Sequence, residues 1–133
     1  MLELGATNIV SYKSVSLLDD ILQAADGNVD VVIDMVGDAL FTISLAALGT
    51  GGSFVIAGAS SGPISELDFR TVYLKHLNIY GSTLGTKDEF SDLLKAVAND
   101  NVKPVIDKEF SLNQAQDYFK KSKQLGNVVL IPS

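Results

Sequence analysis

Three short apolar runs punctuate the chain, and each ends at a glycine or just past one. They are Val29-Asp30-Val31-Val32-Ile33-Asp34-Met35-Val36-Gly37, Ser53-Phe54-Val55-Ile56-Ala57-Gly58 and Leu77-Asn78-Ile79-Tyr80-Gly81-Ser82. The first breaks to an acid, Asp34, before its glycine. All are too short for helices, and the stretches between them carry apolar residues at helical spacing. Such a series predicts buried parallel strands joined by helical crossovers, an open α/β sheet whose carboxyl strand ends face a ligand crevice.

The same patterning extends to both sides. Met1 to Gly5 reads as a helix tail closed by glycine, which leads us to expect that the sequence continues upstream. Asn8-Ile9-Val10-Ser11-Tyr12 is β-prone, and Leu18, Ile21, Leu22 and Ala25 follow at helical spacing with Ser16 as N-cap. Asp38 is suited to cap a helix bearing Phe41, Leu45 and Leu48, with Gly49 and Gly51-Gly52 to end it. A loop, Ala59 to Pro63, and a short helix from about Leu67 to Lys75 lead into the third run, and Thr83-Leu84-Gly85 opens another loop. Thr86 to Glu89 has the form of a capping box, and Phe90, Leu93, Leu94 and Val97 then recur at i, i+3, i+4 and i+7. Val102 to Phe110 reads as extended and interrupted by Pro104, which suits a sheet edge. Ser111 to Gln114 repeats the capping-box pattern ahead of a helix stopping at Gly126, and Val128 to Ile131 closes the series as a strand.

Composition narrows the function. A length of 133 residues allows one domain, residues 1–133, and is too short for a cofactor domain plus a substrate domain. A net charge of -6 with no basic cluster argues against nucleic acid and anionic membrane as partners. The chain has no cysteine, and His76 is its sole imidazole, so a thiolate zinc site has no ligands here. No basic leader and no run of membrane-spanning length is visible, so the expected location is cytoplasmic. Asp34 reads as a loop hydrogen-bonder without a catalytic partner, His76 as a surface turn, and Lys120, Lys121 and Lys123 as a solvated helix face.

Several strings in their order resemble the cofactor-binding domain of the medium-chain dehydrogenase/reductase family, which includes zinc-type alcohol dehydrogenases and quinone oxidoreductases. They are Leu4-Gly5-Ala6 with Tyr12 beyond it, Val29 to Gly37, Gly51-Gly52 before Val55-Ile56-Ala57-Gly58, Gly81-Ser82-Thr83-Leu84-Gly85, Val102-Lys103-Pro104-Val105-Ile106 and Gly126-Asn127-Val128-Val129-Leu130. The resemblance implies an incomplete Rossmann-like, doubly wound parallel sheet lacking its first two strands and the glycine-rich loop. It further implies that residues 102–133 correspond to the segment that returns to a catalytic domain absent from this sequence. By the same resemblance the cofactor is NADP or NAD, and hydride transfer to an alcohol, aldehyde or quinone-like carbonyl belongs to the larger protein. The chain alone is expected to be catalytically incompetent, with no catalytic residue and no metal ligand of its own.

The family's cofactor-binding positions map onto individual residues. Tyr12 matches a tyrosine beside the adenosine ribose or its phosphate. Val36-Gly37 and Gly58-Ala59-Ser60 match segments that pass under the ribose and nicotinamide. Thr83-Leu84 matches a loop whose backbone bonds the carboxamide. Asn127 stands where relatives carry Lys or Arg toward the pyrophosphate, and a neutral amide cannot supply that charge. Loss of the first two strands leaves Val29–Asp34 unpaired, so that either Asn8 to Tyr12 crosses to pair with it or another chain fills the gap. The expected partners are a second copy, through Leu77–Ser82 or the open edge at Val29–Asp34, or a separate N-terminal catalytic polypeptide. The alternative function is a non-enzymatic dimerisation or complementing module that no longer binds cofactor. A complete small flavodoxin-like protein is disfavoured, because the sequence opens on a helix end.

Overall fold

The computed structural model describes residues 2–99, 102–116 and 126–132. They belong to two compact units, Met1–Leu84 and Gly85–Ser133. Among the described residues no helix is long and apolar enough to cross a membrane.

The first unit alternates helix and strand: α1 (Leu17–Ala24), β1 (Val29–Asp34), α2 (Asp38–Ala47), β2 (Leu48–Ile56), α3 (Phe69–Leu74) and β3 (Asn78–Gly81). The strands form one parallel sheet in the order β1-β2-β3. Alternation of side chains decides what this sheet buries. Val32 and Phe54 are paired in register and share a face, and they meet Leu45 of α2, Val72 of α3, Leu48 and Leu77 in the core. A register shift between Val29 and Val31 lets Val29 join Val32 in that core. Val31 and Ile33 occupy the intervening positions and are 56% and 70% exposed. The expected burial of this apolar run is therefore half met, because β1 has a neighbour on one side only and its second face stays open.

Asn8 to Tyr12 forms no strand, so it does not cross to pair with β1. No ladder partner reaches this segment, and the Asn8 side chain instead donates to the Ala24 carbonyl at the end of α1, at 2.6 Å. The helix caps also differ from expectation in detail. Ser16 precedes α1 without a side-chain bond to a helix amide, and its hydroxyl lies 3.2 Å from Asp20 Oδ1. Gly37 takes the cap position of α2, and Asp38 becomes its first residue. The glycines expected to end α2 lie inside β2, which begins directly after Ala47. Asp68 caps α3, accepting from the Arg70 amide at 2.9 Å, and the Arg70 guanidinium hydrogen-bonded to that carboxylate holds it below the ordinary carboxylate range.

Lys75 ties α3 to the far end of α2. Its ammonium donates to the carbonyls of Ala46 at 3.0 Å and Leu48 at 2.8 Å, satisfying groups that a helix end leaves unpaired. Lys75→Ala is expected to destabilise the first unit by about 1–2 kcal/mol. Urea denaturation checks this, and a change within a few tenths of a kcal/mol would show that water replaces the ammonium without loss.

The second unit contains α4 (Lys87–Ala98) and the parallel pair β4 (Ile106–Ser111) and β5 (Asn127–Ile131). The expected capping box is present, with the Thr86 hydroxyl accepting from the Glu89 amide at 3.2 Å and the Glu89 carboxylate accepting from the Thr86 amide at 2.6 Å. That backbone hydrogen bond lowers the Glu89 pKa from its ordinary 4.5. Because the folded pKa lies below the unfolded one, the stabilisation is complete above 4.5 and drains away as pH falls through the folded value. Helix content should accordingly fall on acidification through that window, and Glu89→Gln should flatten the response in circular dichroism. β4 starts only at Ile106, since Pro104 has no amide to give to a ladder. The Ser111–Gln114 box caps a short 3₁₀ turn, Leu112–Gln114. The remainder of the helix expected before Gly126, with Lys120, Lys121 and Lys123, lies outside the described residues.

Candidate functional site

The parallel strands of the first unit end side by side, and the loops leaving β1 and β2 are held against each other by their backbones. Ala57 N donates to the Asp34 carbonyl at 2.7 Å and Ser61 N to that of Val36 at 2.8 Å, while Gly37 and Gly62 form a parallel bridge. This contact depends on two missing side chains. A Cβ on Gly37 would lie 2.7 Å from the Gly62 carbonyl oxygen, and one on Gly58 would lie 2.7 Å from that of Met35. Gly37 also has φ +86°, a conformation that side chains strongly disfavour. The glycines at the strand ends therefore set the spacing of the two loops.

Ser61 completes the arrangement, and sequence reasoning did not single it out. Its hydroxyl donates to the Val36 carbonyl at 2.8 Å and accepts from the Ala39 amide at 3.0 Å. Asp38 N donates to the Gly62 carbonyl, at 3.3 Å. The first amides of α2 are thereby satisfied within the chain. Asp34, at the end of β1, turns the loop that follows it: its Oδ1 accepts from Val36 N at 2.7 Å and Gly37 N at 3.1 Å. Its other oxygen, Oδ2, is buried without a partner.

Between these loops lies a cavity of about 260 Å³ lined by Asp34, Gly37, Asp38, Phe41, Ile56, Gly58, Ala59 and Gly62, with Pro63 to Ser65 and Leu67 forming a wall. It gathers Gly37, Gly58 and Ala59 from among the residues expected at a cofactor site. Val36 and Ser60 belong to the same hydrogen-bonded loops, the latter donating to the Met35 carbonyl at 3.2 Å. Thr83 and Leu84 follow β3 and are exposed without lining this cavity. Tyr12 lines a different, apolar groove with Leu17, Ile21, Leu40 and Ile43 between α1 and α2. Asn127, in the second unit, is bound to the Val105 carbonyl by its backbone amide at 2.8 Å and its side-chain amide at 3.4 Å. A serine-rich loop after a strand was the one sequence signal for Ser61, whereas Phe41 and the Pro63–Leu67 wall had none, because helix and loop must first pack together.

With this geometry in hand, the likeness to known proteins is specific. A model of the zinc-binding dehydrogenases matches residues 1–99. The chain belongs to that family. Zinc-type alcohol dehydrogenase-like protein YogA of Leptosphaeria maculans is 28% identical over 140 residues, covering 96% of this chain and 39% of its own length. Acryloyl-coenzyme A reductase of Sulfurisphaera tokodaii is 34% identical over 110 residues, covering 80% of this chain and 33% of its own length. A solved NAD-dependent alcohol dehydrogenase superposes with a TM-score of 0.83 at 31% identity, covering 97% of this chain and 39% of that one. The chain thus spans between about a third and two fifths of the length of these curated relatives. Its fold is the α/β, Rossmann-like cofactor-domain fold of these dehydrogenases. Despite the family's name, the described residues contain no group of three or more His, Cys, Asp or Glu that could hold a metal.

Proposed function

We propose that this chain is the strand-end part of the cofactor site of an NAD(P)-dependent oxidoreductase, and that it positions the ribose and nicotinamide end of the dinucleotide. What supports this most strongly is the pair of strand-end loops at Gly37 and Gly58, where any Cβ would meet backbone at 2.7 Å. In this reading Val36-Gly37 and Gly58-Ala59-Ser60 underlie the ribose and nicotinamide, Thr83-Leu84 offers backbone groups to the carboxamide, Tyr12 serves the adenosine ribose or its phosphate, and Asn127 stands at the pyrophosphate position without the charge that relatives supply there. Hydride transfer to an alcohol, aldehyde or quinone-like carbonyl belongs to the larger protein, and the chain alone is catalytically incompetent.

Titration of the purified chain with NADH and NADPH, followed by cofactor fluorescence and melting temperature, tests the reading. A ligand that binds only the folded form stabilises it by about 2.7 kcal/mol at about one hundred times its dissociation constant. Saturable binding in the micromolar range is the expected result. No binding at millimolar cofactor would overturn it in favour of a complementing or dimerisation module.

The open edge of β1, with Val31 and Ile33 exposed, favours a partner in either case. We propose a homodimer through the Leu77–Ser82 edge or the Val29–Asp34 edge, the latter also being open to a separate N-terminal catalytic polypeptide. Light scattering coupled to sizing should give a dimer mass, and a monomer at micromolar concentration would count against self-association.

A further inference from the structure

One face of the first unit's sheet is uncovered. Leu45 of α2 and Val72 of α3 meet Phe54 and Val32 on the other face, and strand alternation turns the intervening residues away from that core. The register sets these residues in two rows across the three strands, Val31 beside Ser53 and Asn78, and Ile33 beside Val55 and Tyr80. Val31, Ile33 and Tyr80 are 56%, 70% and 53% exposed, so no described segment packs over them. Purely parallel sheets are almost always covered on both faces. Apolar side chains that run across three adjacent strands differ from the single exposed hydrophobics that any protein carries, and they mark an association surface.

Charge selects the occupant. None of the six positions is charged, although the chain carries a net charge of -6. Two copies of this acidic chain can therefore meet here without setting like charges against each other, as a two-fold contact of one patch with itself requires. A strongly charged partner would find no complementary group on the face, and an anionic membrane is repelled by the chain as a whole. Edge pairing does not remove the exposure, because a strand added beside β1 or β3 extends the ladder and leaves the face bare. Stacking does remove it, since two sheets about 10 Å apart interdigitate the side chains of their inner faces.

We propose that a second copy of this chain packs on this face, sheet against sheet, with Ile33, Val55 and Tyr80 at the centre of the contact. The proposal rests on the self-association stated above, is independent of the cofactor reading, and assigns a contact to the face of the sheet. Three strands about 4.8 Å apart present a narrow patch, at the low end of specific interfaces, so the pair should dissociate in the micromolar range.

Sizing with light scattering on the full chain, from low to high micromolar concentration, should show the mass double. Ile33→Asp and Tyr80→Asp each place a carboxylate on the face, and each should raise the dissociation constant about tenfold or more. Both side chains are more than half exposed, so the variants should keep the wild-type circular dichroism spectrum. The two residues stand two strands apart, about 10 Å, so pairing at a single edge would respond to one substitution at most. A monomer at high micromolar concentration would overturn this proposal together with edge pairing. A dimer that responds to one substitution or to neither would overturn it and leave edge pairing standing. If either variant fails to fold, isotope-filtered NMR on half-labelled wild type decides the matter. Val55 lies on the central strand, two strands away from any copy joined at an edge. Nuclear Overhauser contacts from its methyls to the unlabelled copy are expected from stacking alone, and their absence would overturn the proposal.

Discussion

Gly37→Ala is expected to destabilise the first unit by about 3 kcal/mol or more and to abolish saturable cofactor binding. Two effects add at this position. The backbone has φ 86° and ψ -136°, which a side chain adopts only under strain, and the new Cβ would fall 2.7 Å from the Gly62 carbonyl oxygen and 3.0 Å from Ala59 Cα. Neither neighbour can swing aside, since both are backbone atoms of the loop bridged to Gly37. Relief requires that the loops leaving β1 and β2 move apart, which would take Val36 and Ser61 out of hydrogen-bonding distance. Gly51→Ala separates the contributions, because Gly51 has φ +79° with nothing within 4 Å of its Cβ position. It should lose only about 1 kcal/mol from backbone strain. Urea melts of the two variants with NADPH titrations give the comparison, and equal losses would mean that the close approach of the loops contributes nothing.

Phe54→Ala is expected to cost about 3–5 kcal/mol of stability. Phe54 is fully buried at the centre of β2, packed among Leu45, Leu48 and Leu77. Its ring meets that of Phe41 edge-on, with centroids 5.3 Å apart and planes at 87°. A sheet covered on one face has few other apolar residues to collapse into the vacated volume, so the cavity term is retained. Small domains hold a net stability of only about 5–15 kcal/mol, and a loss of this size should leave a sizeable unfolded population. Phe41 also lines the crevice, so the core and the proposed cofactor site share a wall. Thermal denaturation followed by circular dichroism checks the value, and a loss below about 1.5 kcal/mol would show that the core repacks around the smaller side chain.

The strand runs Val29–Asp34 and Ser53–Gly58, the helix after Thr86 and its capping box were all legible in the sequence. Each depends on local causes: apolar residues at a fixed period, and a Thr and a Glu at the spacing that lets them satisfy each other's backbone. The family resemblance was legible for the same reason, since it lay in short strings at strand ends. The expected strand at Asn8–Tyr12 was a different case. β-propensity there is real, but a strand exists only with a ladder partner, and Asn8 found the end of α1 instead.

The site divides along the same line. The sequence by itself determined that glycines and an acid would stand at the carboxyl ends of parallel strands, because periodicity and residue type are local properties. Only the tertiary structure decided which of them meet: that Gly37 and Gly58 hold two loops in backbone contact, that Ser61 closes the α2 amides, that Tyr12 lies in another groove, and that one oxygen of Asp34 is left unpaired. Those outcomes depend on the packing of segments more than twenty residues apart, for which no spacing along the chain carries a signal.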